Sequence, residues 1–231
     1  MYIVEGNIGA GKSTFLKLIS EKLSYVNVAL EPVNNWQSHV HGQSLLANFY
    51  QEPKRWAFSM EVFAMICRVK EHIKDQKNYD PHRIIERSIY SGHYCFSQNG
   101  YENGFMTPIE WGLYNEWFNF LITGKCQPPL GFIYLQTDPE LAYKRLKKRN
   151  RLAEKKISLH YLKQIHEQHE SFLLQQKNVA PEVKEVPVLV LDCNQDFEEN
   201  SHIFDQHIAK ITEFITQTQN STPQDQIQTS W

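Results

Sequence analysis

Residues Gly6 to Ser13 read GNIGAGKS, the spacing G-x-x-x-x-G-K-[ST]. Gly6, Gly9 and Gly11 let backbone N–H groups curl around phosphate oxygens, and the start of the next helix adds positive potential behind them. Lys12 supplies a cation to a transferring phosphoryl group, and Ser13 a hydroxyl for Mg²⁺. Asn7, Ile8, Ala10 and Thr14 complete the cradle. The loop follows a strand pattern, YIVE, and opens a helix pattern. In that context the motif predicts a site for a nucleoside triphosphate.

Ligands of open parallel sheets gather at the carboxyl ends of the strands, and two further strand patterns end in carboxylates there. VALEP places Glu31, and RIIERS places Glu86 followed by Arg87. Phosphoryl transfer needs a group that takes the proton of the attacking hydroxyl, a metal clamp, and cations for the phosphoryl oxygens. Glu31 and Glu86 suit the first two tasks, Arg87 and Lys12 the third. Either glutamate taken alone also reads as a loop carboxylate capping the next helix. Asp192 ends VLVLD in a Walker B-like position and competes with Glu86 for the metal. No DxxG with NKxD and no LSGGQ-like signature accompanies the loop, and there is no room for a second ATPase lobe. A compact transferase remains.

The elements that position these groups alternate. Strands are expected at 2–5, 27–30, 83–86, 131–136 and 186–191. Helices are expected at 12–23, 42–50, 54–76, 107–123, 139–149, 159–176 and 202–216. The alternation predicts an α/β fold, a parallel sheet with helices on both faces. Residues 1–216 read as a single domain and 217–231, polar and Gln-rich, as a disordered tail. A chain of 231 residues with 41% hydrophobic and 22% charged residues is an ordinary globular composition. Its net charge of −2 gives no global reason to expect nucleic acid or a membrane surface as partner. The four cysteines form no CxxC, no apolar run is long enough to span a bilayer, and the N-terminus starts at once in a strand pattern. These features predict a cytoplasmic protein without metal finger, disulfide framework or targeting segment. The sequon Asn220-Ser221-Thr222 is read as chance, for want of a secretory signal.

The basic stretch KRLKKRNR carries Arg145, Arg149 and Arg151, read either as a solvated helix face or as a lid closing arginines over phosphates (about 145–157). HEQH, His166 to His169, lacks the spacing of a zinc motif and is read as helix surface.

At this point the chain resembles the deoxyribonucleoside kinases, the family of deoxycytidine, deoxyguanosine, mitochondrial thymidine and insect multisubstrate kinases. The resemblance rests on GNIGAGKST, EPVNNW, FYQEPKRWAF, ERSIYS, YLQTDPELAYKRLKKRNRLAE, YLKQIHEQHE and VLDCNQDF, spread from residue 3 to about 197. It implies a P-loop kinase fold with a five-stranded parallel sheet and an arginine-bearing lid, a homodimer, ATP as donor with Mg²⁺, and a deoxynucleoside as substrate. Glu31 then resembles the base for the 5′-hydroxyl with Arg87 beside it, and Glu86 with Ser13 the metal partners. Tyr50 and Glu154 resemble the pair on the sugar 3′-hydroxyl, and Trp36, Phe49 and Phe96 the walls of the base slot. Arg145, Arg149 and Arg151 look like lid arginines, and Asp196 and Phe197 fall in the loop bordering the donor adenine. A thymidylate-type monophosphate kinase and a non-catalytic nucleotide-binding regulator are the alternative readings.

The chain departs from that family in the stretch SMEVFAMICR, where Met60 and Ala64 flank Glu61 in the expected base pocket. Glu61 stands where the family carries a Gln reading the base edge; an ionised Glu offers acceptors only. Arg68 matches an Arg that in relatives partners an Asp after ERS, but that position is Gly92 here. One expectation is that Glu61 and Arg68 form an acceptor–donor pair for guanine, the carboxylate taking N1–H and N2–H₂ and the guanidinium facing O6. A second is that Arg68 neutralises Glu61 while Gly92 admits thymine or other bases. In a third, Glu61 snorkels to solvent.

Overall fold

A computed structural model of the chain describes residues 1–31, 44–78, 80–198 and 200–221. Its sheet has five parallel strands in the order β2-β3-β1-β4-β5, formed by β1 (Tyr2–Glu5), β2 (Asn27–Ala29), β3 (Arg83–Glu86), β4 (Gly131–Gln136) and β5 (Val188–Asp192). The expected α/β class and five-stranded sheet are observed. β1 lies in the middle because both of its faces are covered. Tyr2 and Val4 pack with α1 (Lys12–Lys22) and the last helix, and Ile3 points into a second core with Met65, Tyr114 and Phe132. The register pairs Val4 with Glu86, and the Arg87 N–H extends that ladder by donating to Val4 O at 2.9 Å. The phosphate loop and the end of β3 are therefore neighbours by backbone hydrogen bonding.

The remaining helices are α2 (Leu45–Gln51), α3 (Pro53–Lys77), α4 (Ile89–Ser91), α5 (Gln98–Glu102), α6 (Pro108–Lys125), α7 (Pro139–Arg149), α8 (Leu159–His169), α9 (Pro181–Lys184) and α10 (Ser201–Ser221). Local signals start several of them. Pro53, Pro108 and Pro139 sit at first-turn positions where no N–H is needed, and Thr107 with Glu110 forms a capping box. Ser44 and Ser158 cap α2 and α8 by accepting from Ala47 N and Tyr161 N. A 3₁₀ turn, Leu152–Glu154, follows α7.

Several expectations change. β5 starts at Val188, because Pro187 has no N–H for the ladder and offers only its carbonyl, to Phe132 N. The segment after ERS, to which the sequence patterns assign no element, is helical: α4 and α5 are joined by a π-helical stretch, Gly92–Ser97. The long helix expected at 159–176 ends as α-helix at His169 and continues as a π-helix, Glu170–Leu174. His169 is fully buried and stacks on Tyr134, so HEQH is not helix surface there; Leu162, Ile165 and His169 form one buried stripe. The last helix runs past 216 to Ser221, and the rest of the expected tail lies outside the described residues. Among the described residues no helix is long and apolar enough to cross a membrane, and the four cysteines are buried and in no disulfide. On α6, Ile109, Leu113, Trp117 and Phe120 share one face and are each more than half exposed.

His93, in the π-helical stretch, is buried flat against Phe118, with ring centroids 3.7 Å apart. Burial pushes its pKa from 6.5 down to about 3. The folded state thus binds fewer protons than the unfolded state between these values. The resulting stability is full above 6.5 and lost as pH falls. In urea unfolding, wild type should lose about 2 kcal/mol more than His93→Phe between pH 7 and pH 5. Parallel stability curves for the two proteins would contradict this.

Candidate active site

The loop between β1 and α1 is shaped by three glycines with positive φ, at +146° (Gly6), +85° (Gly9) and +93° (Gly11). All three also allow close packing, Gly6 where a Cβ would lie 2.8 Å from Leu135 O. A Cβ on Gly9 would lie 2.3 Å from Ala142 O of α7, and one on Gly11 would lie 2.9 Å from the Phe197 ring. Asn7 ties the loop to α8, its Nδ2 donating to Leu162 O at 2.8 Å. Lys12 Nζ donates to Gly6 O and Asn7 O at 3.1 and 3.0 Å. Burial, with the nearby Arg87 charge, lowers its pKa to about 7.

Ser13 donates its hydroxyl to both Glu86 oxygens, at 2.9 and 3.1 Å, and Glu31 N–H donates to Glu86 Oε2 at 3.2 Å. Two hard oxygen donors thus converge beside the phosphate loop, a fit for Mg²⁺ completed by substrate oxygens. Among the described residues no cluster of three His, Cys, Asp or Glu forms an all-protein metal cage. Asp192 is exposed on the edge strand β5, two strands from β1, and accepts from Asn194 N. Glu86, on the strand next to β1, is the carboxylate that reaches Ser13.

Glu31 is held on both sides. Arg68 Nε and Nη2 donate to its Oε1 at 3.2 and 2.7 Å, and Arg87 Nε donates to its Oε2 at 3.2 Å. Burial would push this carboxyl up, but Arg68 and then Arg87 more than offset it and hold it below the usual range. Arg87 adopts φ 65°, rests its guanidinium 4.5 Å over the Phe96 ring, and keeps a buried Nη1 without a partner among the described residues. Beneath the loop, Ser88 donates to the buried Glu5 at 2.5 Å and ties the ends of β1 and β3 together.

From the loop a cavity of about 530 Å³ extends between α2, α3 and α8. Ile8, Gly9, Lys12, Ser13, Glu31, Glu86 and Arg87 border it at one end, and Phe49, Tyr50, Met60, Glu61, Ala64, Arg68 and Phe96 at the other. Arg149, Arg151 and Glu154 close one side: Glu154 accepts from Arg149 Nη2 at 2.5 Å and from Arg151 Nη1 at 3.5 Å. Burial and then the Glu154 charge push the Tyr50 phenol up, which places these two groups near each other. Glu61 is buried and accepts from Ser97 Oγ at 2.9 Å. Burial, only partly offset by Arg68, raises its pKa to about 6. It does not snorkel to bulk solvent.

Some expected residues stand apart from this cavity. Arg145 donates to Cys193 O at 3.0 Å, toward the end of β5. Asp196 caps its own turn, and Phe197 is buried against Phe15 and Gly11 on the far side of the loop. Gly92 lies behind Arg68, and Trp36 lies outside the described residues. Tyr161, Leu46 and Ser97 were not expected at the site. Tyr161 carried a signal, since Tyr161, Ile165 and His169 recur every four residues along α8. Ser97 carried none, because the extra residue per turn of a π-helix rotates it toward Glu61.

Residues 2–216 match the family model described as deoxynucleoside kinase. Similar proteins include mitochondrial deoxyguanosine kinase of Xenopus laevis, 36% identical, with 92% of this chain and 88% of the relative covered. Deoxycytidine kinase 2 of Gallus gallus and deoxycytidine kinase of Homo sapiens are each 33% identical, covering 92% of this chain and 89% and 90% of theirs.

Gly9 tests how tightly the phosphate loop is built. Gly9→Ala combines a positive φ with a 2.3 Å approach to a backbone carbonyl, a contact no side-chain movement relieves. It should cost about 1–3 kcal/mol in urea unfolding and raise the KM for ATP. Normal values of both quantities would show that the loop tolerates a side chain there.

Proposed function

The chain belongs to the deoxynucleoside kinase family and is an ATP-dependent kinase; from that premise we propose that it moves the γ-phosphoryl of ATP to the 5′-hydroxyl of a deoxyribonucleoside, giving the 5′-monophosphate for nucleotide salvage. The observation that carries this reading is the position of Glu31, an ionised carboxylate at the junction of an aromatic-walled pocket and a phosphate loop. Glu31 accepts the 5′-hydroxyl proton, while Arg87, with its unpartnered Nη1, and Lys12 face the phosphoryl oxygens. Ser13 and Glu86 would hold Mg²⁺, which supplies positive charge to the donor phosphates. Tyr50 and Glu154 hold the sugar 3′-hydroxyl. Because Glu154 also binds Arg149 and Arg151, sugar binding is linked to the lid. A monophosphate acceptor would bring its phosphate beside Glu31 and be repelled, which disfavours the thymidylate-type alternative.

The base lies between Phe49 and Phe96 with its edge toward Glu61. Guanine presents two adjacent donors, N1–H and N2–H₂, to this carboxylate, so deoxyguanosine is the preferred substrate. A relative named deoxyguanosine kinase at 36% identity supports that choice. Four cysteines outside any disulfide suit a reducing compartment such as the cytoplasm. The apolar face of α6 suits a second copy of the chain as partner.

Steady-state turnover on all four deoxynucleosides, for wild type and Glu61→Gln, tests the substrate reading. Deoxyguanosine should rank first in wild type and lose rank in the variant. Lowering the pH through about 6 protonates Glu61 and should shift wild type toward the variant's ranking. Deoxyguanosine as the poorest wild-type substrate, or a ranking that ignores both changes, would end the guanine reading. For the assembly, sedimentation should give a dimer that Trp117→Glu converts to monomer; a wild-type monomer would refute the dimer.

A further inference from the structure

Arg68 leaves α3 two turns after Glu61, a spacing that invites a pair between them. Its Nε and Nη2 instead lie 3.2 and 2.7 Å from Glu31 Oε1, while Glu61 takes a hydrogen bond from Ser97. The space for this comes from residue 92. A Cβ on Gly92 would lie 2.6 Å from Arg68 Nη1 and 3.6 Å from its Cζ, so any side chain there would press the guanidinium out of place. Gly92 has no positive φ, so the small residue is needed for room and not for backbone conformation.

Two guanidiniums on opposite oxygens fix the plane of a carboxylate as well as its charge. With Arg87 alone on Oε2, Glu31 keeps one anchored oxygen and one free to turn. The side chains of Glu31, Arg68 and Arg87 are at most 10% exposed, so little water is available to replace a lost anchor. A misplacement of about 1 Å at such a group is enough to cost about 100-fold in rate.

We propose that Arg68 is a positioning residue for phosphoryl transfer and not a reader of the base: Gly92 opens the space from which its guanidinium aims Glu31 at the nucleoside 5′-hydroxyl, leaving the base edge to Glu61. The proposal rests on Glu31 being the proton acceptor. It divides the two departures in this pocket between two tasks, Glu61 with Ser97 for selection and Arg68 with Gly92 for chemistry.

The test compares wild type, Arg68→Met, Arg68→Lys and Gly92→Ala at saturating MgATP, with kcat and KM measured for each accepted deoxynucleoside. Arg68→Met should lose about 100-fold in kcat on every accepted nucleoside, with the ranking of nucleosides unchanged. Arg68→Lys should recover part of that loss, since it restores a cation but not the two-point contact. Gly92→Ala should lower kcat in the same sense without altering residue 68, which keeps the proposal testable even if Arg68→Met does not fold. An unchanged kcat in Arg68→Met or Gly92→Ala, or a reordered ranking in Arg68→Met, would overturn it. A wild-type protein that phosphorylates no deoxynucleoside would remove the reading of Glu31 and this proposal together. Failure of the proposal alone shows as an active wild type with insensitive variants.

Discussion

A carboxylate buried as deeply as Glu31 stays ionised only if cations replace the water it has lost, and Arg68 and Arg87 both serve that one side chain. Much of the surrounding architecture follows from bringing these three residues together. Glu31 sits just beyond β2, Arg87 just beyond β3, and Arg68 on α3, so two strand ends and a helix must meet at one point. Parallel pairing of β2 with β3 aligns the two ends, and the contact from Arg87 N to Val4 O brings them beside the phosphate loop. Arg87 leaves that ladder with a left-handed backbone, an uncommon conformation for a long side chain, and turns its guanidinium back over the site. Gly92 and the π-helical stretch behind it leave room for the second guanidinium.

The phosphate end of the cavity carries both signs of charge, Lys12 and Arg87 beside Glu31 and Glu86. Lys12 donates to backbone carbonyls of its own loop, and burial with the Arg87 charge pulls its pKa to about 7. A bound triphosphate would reverse that, placing anions where the loop now offers carbonyl dipoles. At the other end Glu61, Glu154 and the Tyr50 phenol line one cavity, and the phenol is pushed up by burial and by the carboxylates. Lys12 and Arg87 thus lie at one end of the cavity and Glu61 at the other. Glu31 lies at the boundary.

The sequence carried the framework well, for identifiable reasons. Strands such as YIVE and GFIYLQ are fully buried runs whose bounds follow from composition, and the phosphate loop announces itself through glycines that the backbone requires. Glu31, Glu86 and Arg87 were legible because strand ends converge in a parallel sheet. Features that depend on packing between distant segments were not legible. IYSGHYCFSQNGYEN mixes aromatics, glycines and asparagine in a way that reads as loop, yet it is helical because His93, Cys95 and Ser97 are buried by α3 and α6. The same applies to Arg68. Its helical spacing to Glu61 is real, but its partner is decided by a missing side chain 24 residues further on.

With Arg68 committed to Glu31, selection among bases becomes a question of which groups are left unpaired. A base between Phe49 and Phe96 would stack whatever its identity, so such walls contribute affinity without much choice. The Glu61 carboxylate keeps Ser97 as a donor, but a base pressed against it removes the remaining water. A base edge with N–H groups replaces that water, whereas a carbonyl sets acceptor against acceptor and leaves both dehydrated. An unsatisfied buried polar group costs about 1–3 kcal/mol, more when charged, which exceeds the net gain of a well-made neutral hydrogen bond. Discrimination at such a pocket would therefore work chiefly by rejection. That rejection needs Glu61 ionised, as it mostly is above its pKa of about 6; protonation would supply a donor and relax it.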